Sequence, residues 1–158
     1  MTARVRRIGL ISDTHGLVRP ELFGALEGVE LILHAGDVGE GVLEELGAIA
    51  PVRAVSGNTD WADESLEQEI ELEIDGVSIH VSHGHELGMP TPAKLLEAYP
   101  QRIVMFGHTH RQVIVRDGDR IAVNPGAAGA RRFNLLPSCG VLTIESGVPS
   151  VKLVELPG

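Results

Sequence analysis

Three short apolar runs, at residues 8–12, 31–34 and 52–55, constrain this chain most, because each stops abruptly in a polar turn containing glycine. The turns read Asp13-Thr14-His15-Gly16, Ala35-Gly36-Asp37 and Ser56-Gly57-Asn58-Thr59-Asp60. Short apolar runs bounded by turn signals suit strands buried on both faces. Between the first two, Pro20 opens a helical pattern with Leu22, Phe23, Leu26 and Val29 on one face. Between the second and third, Val42, Leu43 and Leu46 suggest a shorter helix. Strand, helix, strand, helix, strand predicts a parallel sheet covered by helices, since parallel neighbours need a crossover connection.

Beyond residue 60 the pattern changes. Leu66, Gln68, Ile70, Leu72 and Ile74 alternate with Glu67, Glu69, Glu71 and Glu73, which predicts a half-exposed strand over 66–74 with the glutamates on its wet face. Asp75-Gly76 signals a hairpin turn, and the return strand at 77–81 ends in Ser82-His83-Gly84-His85. Thr91-Pro92 reads as an N-cap followed by proline at the first helical position, opening a helix through Leu95, Leu96 and Tyr99. Another buried strand at 102–106 ends in Gly107-His108-Thr109-His110. Strands at 113–115 and 121–123 flank Asp117-Gly118-Asp119, and strands at 139–144 and 151–156 flank Ser146-Gly147. With 158 residues and no internal repeat or low-complexity linker, one α/β domain spanning 1–158, with two strand-rich halves, is expected.

Charge and cysteine content narrow the function. The formal net charge is −9 and the basic residues are scattered, which argues against a face for long nucleic acid. A single cysteine, Cys139, excludes an intramolecular disulfide and a thiolate metal cluster, and reads as a buried small hydrophobe. Arg4, Arg6 and Arg7 precede an apolar run too short for a signal peptide, and no stretch approaches the ~20 apolar residues of a membrane span. A cytoplasmic protein without membrane contact is expected, and a homo-oligomer is left open.

The strand ends carry the chemistry. Asp13 and His15, Asp37, Asn58, His83 with His85, and His108 with His110 follow five separate strands, each beside a glycine. In sheets of this kind ligands gather at the carboxyl ends of strands, and glycine allows close backbone approach. Carboxylate and imidazole without thiolate is a donor set for divalent Mn, Fe, Zn, Ni or Co. Seven candidate ligands exceed the needs of one ion and suit two ions sharing a carboxylate. Two such ions roughly 3.5–4 Å apart can clamp a phosphoryl group and activate a water.

Asp13-x-His15, Gly36-Asp37, Gly57-Asn58, His83-Gly84-His85, Gly107-His108-Thr109-His110 and Asn124-Pro125-Gly126 together resemble the calcineurin-like metallophosphoesterase superfamily. The small size and the His-Gly-His and Asn-Pro-Gly wording are similar to its compact YfcE-like phosphodiesterase branch. The resemblance implies a four-layer α/β/β/α sandwich with a dinuclear site at the C-terminal ends of the strands. It implies that Asp13, His15 and His110 hold one ion and Asn58, His83 and His108 the other, with Asp37 bridging. Asn58 would also face the phosphate, and the catalytic set becomes Asp37, Asn58, His83 and His108. The expected cofactor is two divalent ions, manganese first, with Ni, Co, Fe and Zn as alternatives. The expected reaction is attack on phosphorus by a hydroxide bridging the ions, on a small phosphodiester or nucleotide-like substrate. A phosphomonoesterase, a nucleotide pyrophosphatase, or a metal-binding interaction scaffold like the retromer subunit that shares this fold are the alternatives. A nuclease of the superfamily would want a basic groove, which the chain lacks.

Two departures from the family pattern stand out. Thr59 occupies the place where many relatives have a histidine that assists the leaving group, and Ala127 replaces a serine. A missing general acid costs about 10²–10⁴-fold with a poor leaving group, so diesters and activated esters are favoured over alkyl monoesters. His34 and His80 lie inside apolar runs and suit core or supporting roles, with His34 placed to orient a ligand. His85 reads either as a ligand in place of His83 or as a phosphate contact. His83, nearer the strand end, is taken as the ligand. Arg131 and Arg132 follow the Asn-Pro-Gly turn, where a guanidinium could take a phosphate oxygen.

Overall fold

β1 (Val5–Ile11), β2 (Leu31–His34) and β3 (Val52–Ala54) form the parallel core expected of the first half, with Ile11 opposite His34 and His34 opposite Ala54. The structure, a computed structural model, describes residues 5–60, 63–131 and 134–157. β9 (Ser138–Glu145) and β10 (Val148–Glu155) join that sheet antiparallel, in the order β10-β9-β1-β2-β3. The two halves of the chain are therefore not the two sheets. β9 is apolar on both faces, with Leu142 and Ile144 turned one way and Cys139 and Val141 the other, and it needs a central position.

The second sheet contains β4 (Ile70–Ile74), β5 (Val77–Val81), β6 (Ile103–Met105), β8 (Arg120–Asn124) and β7 (Val113–Asp117), in that spatial order. β5, β6 and β8 run parallel. The Asp75-Gly76 turn joins β4 to β5 with both residues at positive φ (47° and 83°), the mirror-image turn that matches strand twist.

Between the sheets, Leu10, Leu33, Val55 and Leu142 pack against Ile79, Val81, Ile103 and Met105. Each such fully buried side chain contributes about 1.5–3 kcal/mol. α1 (Glu21–Ala25) and α2 (Val42–Leu46) cover the outer face of the first sheet through Leu22, Leu26 and Leu46. α3 (Pro92–Ala98) covers the second sheet through Leu95 and Leu96 on Val104, Phe106 and Ala122. Thr91 caps α3, its hydroxyl accepting from the Lys94 amide at 3.2 Å. The result is the four-layer α/β/β/α sandwich. No helix among the described residues is long and apolar enough to cross a membrane.

Two expectations need correction. Phe23 does not share the buried face of α1 and is 46% exposed. Leu22 and Leu26, one turn apart, fill that face, and Phe23 lies about 100° round the helix from Leu22. The half-exposed strand begins only at Ile70. Residues 66–69 instead run beside the end of β3, where Val55 and Glu67 form one parallel bridge and Arg53 pairs with Glu67 at 2.9 Å. Alternation cannot tell a wet strand face from a segment folded along a sheet edge.

Candidate metal centre

All five ligand-bearing turns leave the C-terminal ends of β1, β2, β3, β5 and β6, and they converge. Asp13 and Asp37 lie at the centre, both buried. Asp13 Oδ1 faces His110 Nε2 at 3.4 Å, His83 Nε2 at 3.8 Å and His15 Nε2 at 4.0 Å. Asp37 Oδ2 lies 3.3 Å from His83 Nε2 and 3.6 Å from His15 Nε2. Asn58 Oδ1 lies 3.0 Å from His83 Nε2 and 3.2 Å from His108 Nδ1, and these two ring nitrogens are 3.3 Å apart. Donor atoms bound to one divalent ion at about 2.0–2.2 Å stand roughly 3–3.5 Å from one another. Asp13, His15 and His110 form one such group; Asp13, Asp37 and His83 form another.

The outer atoms of the two carboxylates are already taken. Asp13 Oδ2 accepts from the Ser12 hydroxyl at 2.6 Å and from the His108 amide at 3.1 Å. Its Oδ1 is buried without a hydrogen-bond partner. Asp37 Oδ1 accepts from both the amide (2.9 Å) and the hydroxyl (2.8 Å) of Thr59, leaving Oδ2 to face the histidines. His83 donates Nδ1–H to the Ala35 carbonyl at 2.8 Å, which turns the lone pair of Nε2 inward. A buried, unpartnered carboxylate oxygen ringed by imidazole nitrogens is a donor set that a divalent cation satisfies.

Burial pushes the Asp13 carboxyl up to about 6, with the charge of His83 and the Ser12 hydrogen bond working against the rise. Burial acts the same way on Asp37, but hydrogen bonds from His83 and Thr59 outweigh it and hold this carboxyl well below the usual range. Burial alone would lower His83, yet Asp37 and Asp13 raise it. Burial and the charge of His83 together lower His108. The two carboxylates thus favour the protonated, positively charged form of His83 between them.

The backbone is strained at the same points. Of seven non-glycine residues at positive φ among those described, Asp75 and Ser146 sit in hairpin turns. The other five are Asp13, His15, Asp37, His108 and His110. Left-handed backbone costs such residues of order 1–3 kcal/mol each, and strain of this kind gathers at functional sites. Close approach also dictates two glycines: a Cβ at Gly57 would strike the Asp37 carboxylate, and one at Gly107 would strike Ser12 and Asp13.

This chain matches the calcineurin-like phosphoesterase superfamily domain over residues 7–147. The chain belongs to that superfamily. A probable metallophosphoesterase of Methanothermobacter thermautotrophicus is 36% identical over 150 residues, covering 87% of this chain and 86% of the relative. A phosphodiesterase of Methanocaldococcus jannaschii is 29% identical over 169 residues, covering 94% and 92%. Among solved structures, Vacuolar Protein Sorting 29 from Cryptosporidium parvum shares the fold with a TM-score of 0.79 at 19% identity, covering 98% of this chain and 99% of that one. Phosphoesterases of this superfamily use divalent metals, and the convergent carboxylates and imidazoles suit that use.

Other residues singled out in the sequence fall as follows. The His85 ring lies 5.3 Å from that of His83 and 6.3 Å from that of His108, exposed at the rim. Arg131 is exposed and makes no hydrogen bond among the described residues, and Arg132 lies outside them. His34 is buried, with Nε2 2.9 Å from the Thr14 hydroxyl and Nδ1 accepting from the Gly36 amide at 3.1 Å. It fastens the first two turns together, and burial drops its pKa to about 3. His80 is buried, stacked 3.6 Å from Tyr99. Asn124 donates to the Gly107 carbonyl and the Thr109 hydroxyl, both at 3.0 Å, and shapes the His108–His110 turn.

One contributor escaped the sequence reading. Asp60 accepts from the amides of Val38 (2.9 Å) and Gly57 (2.9 Å), clasping the Asp37 turn to the Asn58 turn. An aspartate closing a Gly-Asn-Thr-Asp turn was the available signal.

Proposed function

We propose that the protein is a metal-dependent phosphodiesterase acting on small phosphodiesters from a two-ion centre, with residues 1–158 working as one domain. The observation that carries this reading is the orphaned Asp13 Oδ1, buried opposite three imidazole nitrogens and joined through two of them, those of His15 and His83, to Asp37. Asp13, His15 and His110 would hold one ion, Asn58, His83 and His108 would hold the second, and Asp37 would serve both. When bound, two divalent ions supply the Lewis acidity that activates water and offsets charge building on the phosphoryl oxygens. Manganese heads the candidates.

The chain's own residues fix the geometry. Thr59 locks Asp37 from one side, and the Ala35 carbonyl sets the tautomer of His83. Asn58, whose Oδ1 faces His83 and His108, keeps its amide N–H groups for a phosphoryl oxygen. His85, at the rim, is placed for a further phosphate contact. The Ser12 hydroxyl is committed to Asp13, and burial pushes the Cys139 thiol up to about 12. Neither is a nucleophile, so no covalent phosphoenzyme is expected.

Thr59, hydrogen-bonded to Asp37, has no proton to offer a leaving group. Diesters with good leaving groups are therefore expected to outpace alkyl monoesters. The test is hydrolysis of bis-p-nitrophenyl phosphate by chelator-stripped protein with and without Mn²⁺, beside an alkyl monoester. Mn²⁺-dependent turnover of the diester, faster than the monoester, supports the reading. Faster monoester cleavage would replace it with a phosphomonoesterase. The likeness to a vacuolar sorting protein favours one second reading, an interaction scaffold; two bound ions without turnover of any ester would support that instead.

A further inference from the structure

An edge strand offers unpaired N–H and C=O groups to another strand unless something blocks it. Among the described residues, three of the four sheet edges are guarded. β3 is covered by residues 66–69, with the Ser56 amide donating to the Glu67 carbonyl at 2.7 Å and the Glu67 amide to the Ala54 carbonyl at 3.4 Å. The other three edges belong to hairpins, where the residues flanking a two-residue turn bond to each other and alternate residues point their backbone groups outward. In β10, Val148 pairs with Glu145, so Pro149 faces outward and has no N–H to offer. In β4, Ile74 pairs with Val77, so Glu71 and Glu73 face outward. Antiparallel pairing of two copies about Leu72 would set these glutamates directly opposite one another, which is unfavourable.

β7 carries no such guard. Asp117 pairs with Arg120 across Gly118-Asp119, so Val113, Val115 and Asp117 bond to β8 while Ile114 and Arg116 turn their N–H and C=O groups outward. No other strand takes them among the described residues. Residues 115–119 are exposed, as are Arg111 and Gln112 just before the strand. Val115, 38% exposed, walls a groove of about 640 Å³ with Pro92, Ala93 and Leu96 of α3.

We infer that β7 is the interface for a second copy of this chain, paired antiparallel about a two-fold axis at Val115, so that two five-stranded sheets become one of ten strands. Self-complementarity selects this occupant. In that register Ile114 exchanges backbone bonds with Arg116 of the partner subunit, and Val115 meets its own copy beside the groove. Arg111 comes up to the turn that carries Asp119 of the partner subunit, and the same pair recurs at the other end. No like charges oppose each other between positions 111 and 119. Opposite charges across a strand pair are favourable, and a two-fold contact supplies each of them twice. Arg111 directly follows His110, so the partner's turn would stand at the rim of the metal centre. Pairing of this edge needs neither metal nor substrate.

The test is sedimentation velocity on the full chain over a range of concentrations, with hydrogen exchange read at single amides. One short strand pair makes a weak contact, so a dimer that forms as concentration rises is expected, with the Ile114 and Arg116 amides protected in step. R116P removes an outward N–H, leaves the bonds to β8 in place, and should give a monomer with the native circular dichroism spectrum. R111D or D119R alone should weaken the dimer about tenfold or more, and R111D/D119R, which restores opposite charges, should recover most of the loss. A chain that stays monomeric at millimolar concentration overturns the proposal, even if the edge accepts a strand from another protein. A dimer that survives R116P, or whose Ile114 and Arg116 amides exchange freely, sits on another face and overturns it as well. Should R116P fail to fold, the charge swap decides: reversal without loss, or loss without recovery, overturns the pairing.

Discussion

Thr59 donates two hydrogen bonds to one oxygen of Asp37, and the carboxylate is thereby made asymmetric. Valine at this position keeps the amide bond and loses the hydroxyl bond. Partners that orient metal ligands are worth about 10–100-fold in affinity. T59V should therefore weaken Mn²⁺ binding by about tenfold in calorimetric titration, and T59S should restore it. A T59V protein with native affinity would remove Thr59 from the account. Asp13 has the opposite character: it is buried as a charge and suffers for it. Its folded pKa, about 6, lies above the ordinary carboxyl value of 3.8. A carboxyl raised in this way binds its proton more tightly when folded. Its stabilising contribution is complete below the unfolded value and is lost as pH rises through about 6. Chelator-stripped D13N should accordingly be more stable than stripped native protein at pH 7, with the advantage vanishing towards pH 4. Urea denaturation at the two pH values checks this, and a stripped D13N protein less stable at pH 7 would contradict it.

The turns after the strands carry the site, and the elements behind them decide whether it stays assembled. Asn124 at the end of β8 holds the turn after β6, donating to Gly107 and Thr109 and accepting from the Gly126 amide at 2.9 Å. N124A removes these bonds in a buried place and should cost about 2–4 kcal/mol in urea unfolding. It should also weaken Mn²⁺ binding, since His108 and His110 ride on that turn. Loss of stability with unchanged metal affinity would show that the turn keeps its shape without Asn124.

Much of this level was legible in the residues. Short apolar runs cut off by Gly with Asp, Asn or His located five of the ten strands among the described residues and every turn of the centre, because buried strands and tight turns both have local signatures. Long-range assembly left no such mark. Nothing near Cys139 announces that β9 pairs with β1, and nothing local in 66–69 distinguishes a segment along a sheet edge from a strand face. Thr59 and Asp60 were visible as residues, but their bonds to Asp37 and to the Val38 amide depend on two turns meeting in space.

For the molecule as a whole, the sandwich brings strand ends from both sheets to one edge, so in the proposed two-ion centre each ion would draw ligands from both. Asp13, His15, Asp37 and Asn58 come from the first sheet, and His83, His108 and His110 from the second. Metal binding should therefore lock the sheets together and raise thermal stability with the logarithm of ion concentration above Kd. In that proposed centre the shared carboxylate would make the two ions interdependent, and this is the claim on which the account turns. The decisive measurement is the number of Mn²⁺ ions bound per chain by stripped, reloaded protein, native and D37N, determined alongside turnover of bis-p-nitrophenyl phosphate. The account predicts two ions in the native protein, and in D37N a loss of affinity at both positions together with loss of turnover. One ion or none in the native protein, or two ions and native turnover in D37N, would contradict it.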